Sequence, residues 1–248
     1  MSAGRFFHPF SGHDTRILLD DPDEFAHVTR VLRLKAGDSV EIVNGQGGVA
    51  QGVLREVSRT AAWVDIRSLV VVPRHHGPHI TLACAIPKRT KFETIIEKCT
   101  ELGVDRIIPM VTARTENDVH GEKADHKLAR YQRVALNAAK QCKRPWFPEI
   151  TLPVSFFQTL AMTAVPGKFL FFPWLEGERI SLGMALAARR NAGDFVFFIG
   201  PEGDFTPEEA VEAVLAGAVP VTLGENVLKV DTAAIAVVSF AILNNSLS

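Results

Sequence analysis

Cysteine is scarce in this chain. Cys84, Cys99 and Cys142 are the three among 248 residues, and they are odd in number and far apart. That pattern excludes a disulfide framework and a cysteine metal site, and it points to a reducing cytoplasm. No apolar run reaches the roughly 20 residues of a membrane span. The longest, residues 232–243, reads as a buried helix, so no membrane partner is expected. The N-terminus has charge and aromatics but no signal-peptide apolar region. His75 and His76 lack further ligands at useful spacing, so no metal is expected. Repeats and low-complexity tracts are absent. Net charge is also nearly absent, at −1.

What is present is a globular composition, with 47% apolar and 22% charged residues. The length suits one large or two modest domains. The small net charge hides an asymmetry. Residues 1–82 carry 9 basic and 9 acidic side chains, residues 83–144 carry 13 and 8, and residues 145–248 carry 5 and 11. The middle third, at +5, suits phosphates, whereas the last third, at −6, does not.

The first segment reads as mostly β. Ser39–Val43 and Val49–Val57 flank the glycine-rich turn Asn44-Gly-Gln-Gly-Gly48, a hairpin signature. Residues 61–72 supply another strand, and residues 22–32 supply one short helix. A small barrel is the simplest packing. Residues 73–78 read as a linker, giving expected domains at 1–73 and 74–248. From residue 79, strands alternate with helices, which predicts a parallel sheet covered on both faces. Expected strands are 79–86, 105–112, 168–172, 195–199 and 219–223. Expected helices are 90–102, 124–141, 151–164, 180–190, 207–216 and 231–243.

Two loops stand out for chemistry. Phe195-Val-Phe-Phe-Ile199 runs into Gly200-Pro-Glu-Gly203-Asp204, and Thr206, Pro207 and Glu209 then mark a helix start. A glycine loop between a buried strand and a helix is where open α/β sheets bind ligands. Glu202 and Asp204 would repel phosphates, so a cationic or neutral adenosine-like ligand fits better. On these residues alone, a tight turn without a ligand fits too. Leu223-Gly224 opens a second such loop, which enters the last helix through Lys229, Asp231 and Thr232. Asp231 reads equally as a first-turn helix acid.

Several stretches together resemble one family. They are Arg5-Phe-Phe, His27-Val-Thr-Arg-Val-Leu-Arg33 with Gly37-Asp38, Pro87-Lys-Arg-Thr-Lys-Phe-Glu93, Lys98-Cys-Thr-Glu-Leu-Gly103, Ile107–Arg114, Ile199–Gly203 and Leu223–Ala234. Nearly the whole chain resembles the ribosomal RNA small subunit methyltransferase E family. That family is of the SPOUT class of S-adenosylmethionine-dependent RNA methyltransferases. The resemblance implies an α/β fold: a small PUA-like β-barrel followed by a trefoil-knotted parallel-sheet methyltransferase domain. It implies a homodimer acting on N3 of a uridine in 16S ribosomal RNA near the decoding centre, as free rRNA or in the small ribosomal subunit. It also implies that Ile199, Gly200, Pro201, Gly203, Leu223, Gly224, Val227 and Leu228 line the S-adenosylmethionine site.

Arg114, Lys229, Asp231 and Thr232 are then the catalytic candidates, Arg114 for phosphate or developing charge and Asp231 for the N3 proton. Arg5, Arg30, Arg33, Lys88 and Lys91 are candidates for RNA phosphates. The chain departs from the family pattern at Lys229 and Asp231, where Arg and Glu are expected. It departs again at Asp204, where glycine is expected, and at Lys140, where Glu is common. Two other readings stay open: a SPOUT enzyme with another base or ribose target, and an RNA-binding protein with a vestigial cofactor pocket.

Overall fold

The run from Ile80 to Ala85 is buried at every position, as a strand covered on both faces must be. It lies inside the larger of two compact units in a computed structural model of the chain. The structure describes residues 4–74, 77–88, 92–115, 122–189 and 193–246. One unit comprises residues 1–75 with 139–147, and the other residues 76–138 with 148–248.

The first unit holds strands β1 (Gly4–Phe7) and β2 (Arg16–Leu19), helix α1 (Pro22–Ala26), and strands β3 (Ser39–Val43), β4 (Gly48–Val57) and β5 (Ala62–Val71). They form a five-stranded sheet in the order β1-β3-β4-β5-β2. Its core is Phe6, Ile17, Leu19, Val28, Val40, Ile42, Ala50, Leu54, Ala62 and Val64. The single helix expected over residues 22–32 is instead α1 followed by a π-helical turn, His27–Val31. The turn sets the His27 ring edge-on to Phe6 and buries Val28.

The hairpin at Asn44–Gly48 forms as the sequence suggests, with Asn44 Oδ1 accepting from the backbone N–H groups of Gln46 and Gly48. Its glycines have a second reason to be there. A Cβ at Gly45 would lie 2.8 Å from the Phe147 ring, and one at Gly47 would lie 2.5 Å from the Trp146 ring. The segment 139–147 thus belongs to this unit through aromatic contacts that need bare backbone.

The second unit begins with β6 (Ile80–Ala85), α2 (Phe92–Leu102), β7 (Arg106–Val111) and α3 (Glu122–Gln141), whose last residues cluster with the first unit. It continues with β8 (Glu149–Ile150), β9 (Val154–Ser155), α4 (Phe156–Thr163), β10 (Lys168–Pro173), β11 (Ile180–Ser181) and α5 (Leu182–Ala187). It ends with β12 (Asp194–Ile199), α6 (Pro207–Leu215), β13 (Val219–Thr222) and α7 (Val230–Ser246). The sheet order is β11-β13-β10-β12-β6-β7-β8, with β9 also on β7, and each of these pairings is parallel.

Alternation along the strands builds two cores. Leu82, Phe171, Phe195, Phe197, Ile199 and Val221 pack under α2, α3, α5 and α7. Ala83, Ile108, Leu170, Phe172, Val196 and Phe198 pack under α4 and α6. The helix expected over 151–164 starts only at Phe156. Ile150 and Val154 pair with β7, and Ser155 then caps α4 in a capping box with Gln158. Sheet pairing overrides helix propensity there. Among the described residues, no helix is long and apolar enough to cross a membrane.

Candidate functional site

The Gly200–Asp204 turn leaves the C-terminal end of β12, and α6 follows with the Thr206–Glu209 capping box that the sequence announced. Asp204 has φ +61°, a conformation that Asp tolerates better than most residues. The acids around the turn accept from backbone amides of other loops. Glu202 accepts from the backbone N–H of Lys88 at 3.0 Å. Asp204 Oδ2 accepts from the N–H of Leu175 at 3.1 Å. Buried Glu209 accepts from the N–H of Ala113 at 2.8 Å. Arg114 completes the set by donating to the carbonyls of Gly203 and Phe205 at 2.5 and 3.2 Å. The turn is therefore braced by the loops that follow β6, β7 and β10. Such bracing fixes a ligand loop before anything binds.

The second loop, from Leu223 to Lys229, faces this turn across a cleft of about 410 Å³, within the range of small-molecule sites. The sequence named two walls, but the sheet order places β10 between β13 and β12. The loop after β10 accordingly supplies a third wall, with Pro173, Trp174, Leu175 and Arg179. The missed signal was the rule that identified the other two loops: ligands gather at the C-terminal ends of strands.

The cleft brings together Ile199, Gly200, Pro201, Leu223, Gly224, Val227, Leu228 and Lys229. Gly203 lies behind it, where a Cβ would meet Arg114 Cδ at 3.3 Å. Asp231 sits in the first turn of α7, its Oδ1 accepting from the Thr232 N–H at 2.9 Å. Thr232 is exposed, and neither of these two side chains lines the cleft, although their neighbours Val230 and Ala233 do. Cys84 ends up near Glu202 and Asp231; burial first, then Cys99 and these two carboxylates, pushes its thiol well above the ordinary range. The lining is apolar on several sides, with Glu202, Asp204 and Glu225 balanced by Arg179 and Lys229. That mixture suits a ligand with a flat apolar part and groups of both charges, the donor set that S-adenosylmethionine presents. Among the described residues, no group of three or more metal-ligating side chains is gathered.

The RNA candidates are spread over both units. In the first, Arg5 pairs with Glu41 at 3.0 Å, its cross-strand neighbour. Burial pulls the Arg5 guanidinium pKa down, and Glu41 opposes the shift. Arg30 and Arg33 are exposed, Arg33 at φ +54°. In the second unit, Lys88 is exposed and its backbone N–H is held by Glu202. Lys91, like His75 and His76, lies outside the described residues.

A family model described as RNA methyltransferase domain matches residues 75–242, and one described as RNA methyltransferase PUA domain matches residues 19–67. A Mycobacterium bovis relative, named ribosomal RNA small subunit methyltransferase E, is 30% identical over 86% of this chain and 81% of its own length. The chain belongs to the ribosomal RNA small subunit methyltransferase E family. A family member from Synechocystis is 33% identical over 84% of this chain, and the match spans 66% of that protein's length.

Solved structures agree. A putative methyltransferase from Legionella pneumophila, in complex with S-adenosylmethionine, has TM-score 0.87 at 28% identity over 98% of each chain. A family member from Neisseria gonorrhoeae, bound to S-adenosylmethionine, has TM-score 0.86 at 25% identity over 100% of each chain. The fold is thus the family's mixed α/β architecture with a PUA-like first domain.

Proposed function

We propose that the chain is an S-adenosylmethionine-dependent methyltransferase acting on N3 of a uridine in 16S ribosomal RNA near the decoding centre. The observation that carries this reading is the braced cleft at the C-terminal ends of β10, β12 and β13, in a chain whose structural relatives hold S-adenosylmethionine. Residues 1–73 would dock RNA, and residues 74–248 would carry the reaction.

When bound, S-adenosylmethionine supplies a methyl group already made electrophilic by its sulfonium. The protein's share of the work is position and proton handling. Ile199, Pro201, Leu223, Val227 and Leu228, all on the cleft wall, would hold the apolar part of the cofactor. Gly200 would allow close approach to the backbone, whereas the Gly224 N–H and carbonyl are both bonded to Thr222 Oγ1 and hold the shape of the second loop. Gly203 serves through its carbonyl, which ties the turn to Arg114. Lys229, on the cleft wall, steadies negative charge that builds on the uracil oxygens as N3 loses its proton. Asp231 and Thr232, in the first turn of α7 beside the cleft rather than on its wall, are assigned to that proton and to orienting the base that enters there. The remaining donors of Arg114, with Arg30, Arg33, Lys88 and Lys91, meet phosphates; Arg5 acts through its pair with Glu41.

The chain would act in the cytoplasm as a homodimer. Exposed Met184, Phe240 and Leu243 support the dimer, being apolar side chains left uncovered on α5 and α7, whose other apolar residues pack into the core. The trefoil knot that the family resemblance implies would pass through the same two glycine loops. The test is to incubate the purified protein with S-adenosylmethionine and small-subunit RNA from a strain lacking it, then analyse the nucleosides by mass spectrometry. N3-methyluridine is the expected product. Another methylated nucleoside would move the target, and no product on free RNA or assembled subunits would overturn the reading.

A further inference from the structure

The peptide between Trp174 and Leu175 is gripped at both of its polar ends. Its N–H donates to Asp204 Oδ2 at 3.1 Å. Its carbonyl accepts from Arg179 Nη1 at 2.7 Å. The Trp174 N–H is taken as well, by the Val221 carbonyl at 3.2 Å. These three backbone groups of the wall are thus taken by the protein, and Trp174 and Leu175 both line the cleft.

One charged residue of opposite sign sits on each end of a single peptide, and both line the cleft. Asp204 pays for its place with a left-handed backbone, φ +61°, where glycine would be unstrained. A second hydrogen bond, from the Phe205 N–H to Oδ1 at 2.8 Å, aims the carboxylate. The turn closes through the Asp204 N–H to the Pro201 carbonyl, so beyond the Phe205 N–H the side chain's remaining bond is the one to Leu175.

We propose that Asp204 and Arg179 are positioning residues that clamp the Trp174–Leu175 peptide, hold the third wall closed on the bound cofactor and so set cofactor affinity. This rests on the S-adenosylmethionine reading of the cleft. It assigns a task to the residue that departs from the glycine expected at the end of the turn, and to an arginine outside both glycine loops. A carboxylate accepting from a backbone amide is a charge-assisted bond. Its loss removes the hydrogen bond that ties this wall to the turn.

The test compares wild type, Asp204→Gly, Arg179→Met and the double variant by calorimetry with S-adenosylmethionine, by thermal melting, and by amide exchange of the ligand-free protein. Glycine suits φ +61°, so Asp204→Gly should melt within a few degrees of wild type. Its Leu175 amide should exchange faster, and its cofactor Kd should rise about tenfold, the equivalent of ~1.4 kcal/mol. Because both side chains hold one peptide, the double variant should lose less affinity than the two single losses added together. Asp204→Asn, which keeps an acceptor and tolerates the backbone, should recover part of the affinity. Unchanged exchange at Leu175, or affinity within twofold of wild type in both single variants, would overturn the proposal. Absence of S-adenosylmethionine binding by wild type would overturn the cofactor reading and this proposal's affinity claim, with amide exchange still deciding whether the clamp exists.

Discussion

Ala113 donates its backbone N–H to the buried carboxylate of Glu209 at 2.8 Å, across 96 residues of sequence. The other Glu209 oxygen accepts from the Thr206 N–H at 2.9 Å, closing the capping box of α6. One side chain thus ends a helix and ties the loop after β7 to the turn after β12. Glu209→Ala should destabilise the protein by about 2–4 kcal/mol, adding a lost cap to an unpaired amide. Glu209→Gln should recover most of it, because Gln also serves in capping boxes. Urea denaturation measures both, and equal losses for the two variants would contradict this assignment.

Arg114 donates to the carbonyls of Gly203 and Phe205, so its first effect should be on the cofactor. Arg114→Ala should weaken S-adenosylmethionine binding roughly tenfold, about 1.4 kcal/mol, the low end for a single charged hydrogen bond. Calorimetry without RNA reads this directly. Unchanged cofactor affinity with lost methyl transfer would place the residue's main action at the RNA instead.

Within the first unit, Lys140 Nζ meets Glu24 Oε1 at 2.5 Å, and both side chains are at least nine-tenths buried. Glu24 also accepts from the Phe7 N–H at 3.2 Å. Lys140→Met strands a buried carboxylate and should cost ~3–5 kcal/mol, whereas Lys140→Met with Glu24→Met should sit much nearer wild type. Chemical denaturation of the four proteins in the cycle decides it. Additive losses would mean that the pair is not coupled.

Burial pushes the Cys99 thiol and the Tyr131 hydroxyl up to about 12, and the Cys84 thiol rises well above its ordinary value for the same first reason. At alkaline pH the unfolded chain ionises these groups while the folded chain keeps them protonated. Folding stability present below about pH 9 should therefore fall as pH rises toward about 12. In the folded protein, Cys142 should take an alkylating reagent at pH 8 while Cys84 and Cys99 resist until denaturant is added, because only Cys142 is partly exposed. Mass spectrometry of the labelled protein counts the modified thiols.

Local rules were enough to read the turn itself. The buried β12 run, Thr206 as cap, Pro207 in the first turn and Glu209 closing the box all follow from neighbours in sequence. The acids were legible as residues but not as acceptors. Glu202 and Asp204 read as acids suited to a cationic or neutral adenosine-like ligand, and both line the cleft; what the sequence did not show is that each also accepts from an amide, 114 and 29 residues away. Strand order was equally hidden. Nothing local places β10 between β12 and β13, so Trp174 and Arg179 escaped notice although they follow a strand just as Gly200 and Gly224 do. The start of α4 moved for the same reason, since pairing with β7 claims Ile150 and Val154 before helix propensity can act. Family resemblance supplied the cofactor and the RNA, but no local rule revealed the task of Asp204.

The central claim is uridine N3 methylation of small-subunit ribosomal RNA. Its most direct test is nucleoside mass spectrometry of that RNA from a strain with this chain deleted, beside the same strain carrying it again. Loss of N3-methyluridine on deletion, and its return on complementation, is the predicted result. N3-methyluridine unchanged by the deletion would contradict the claim.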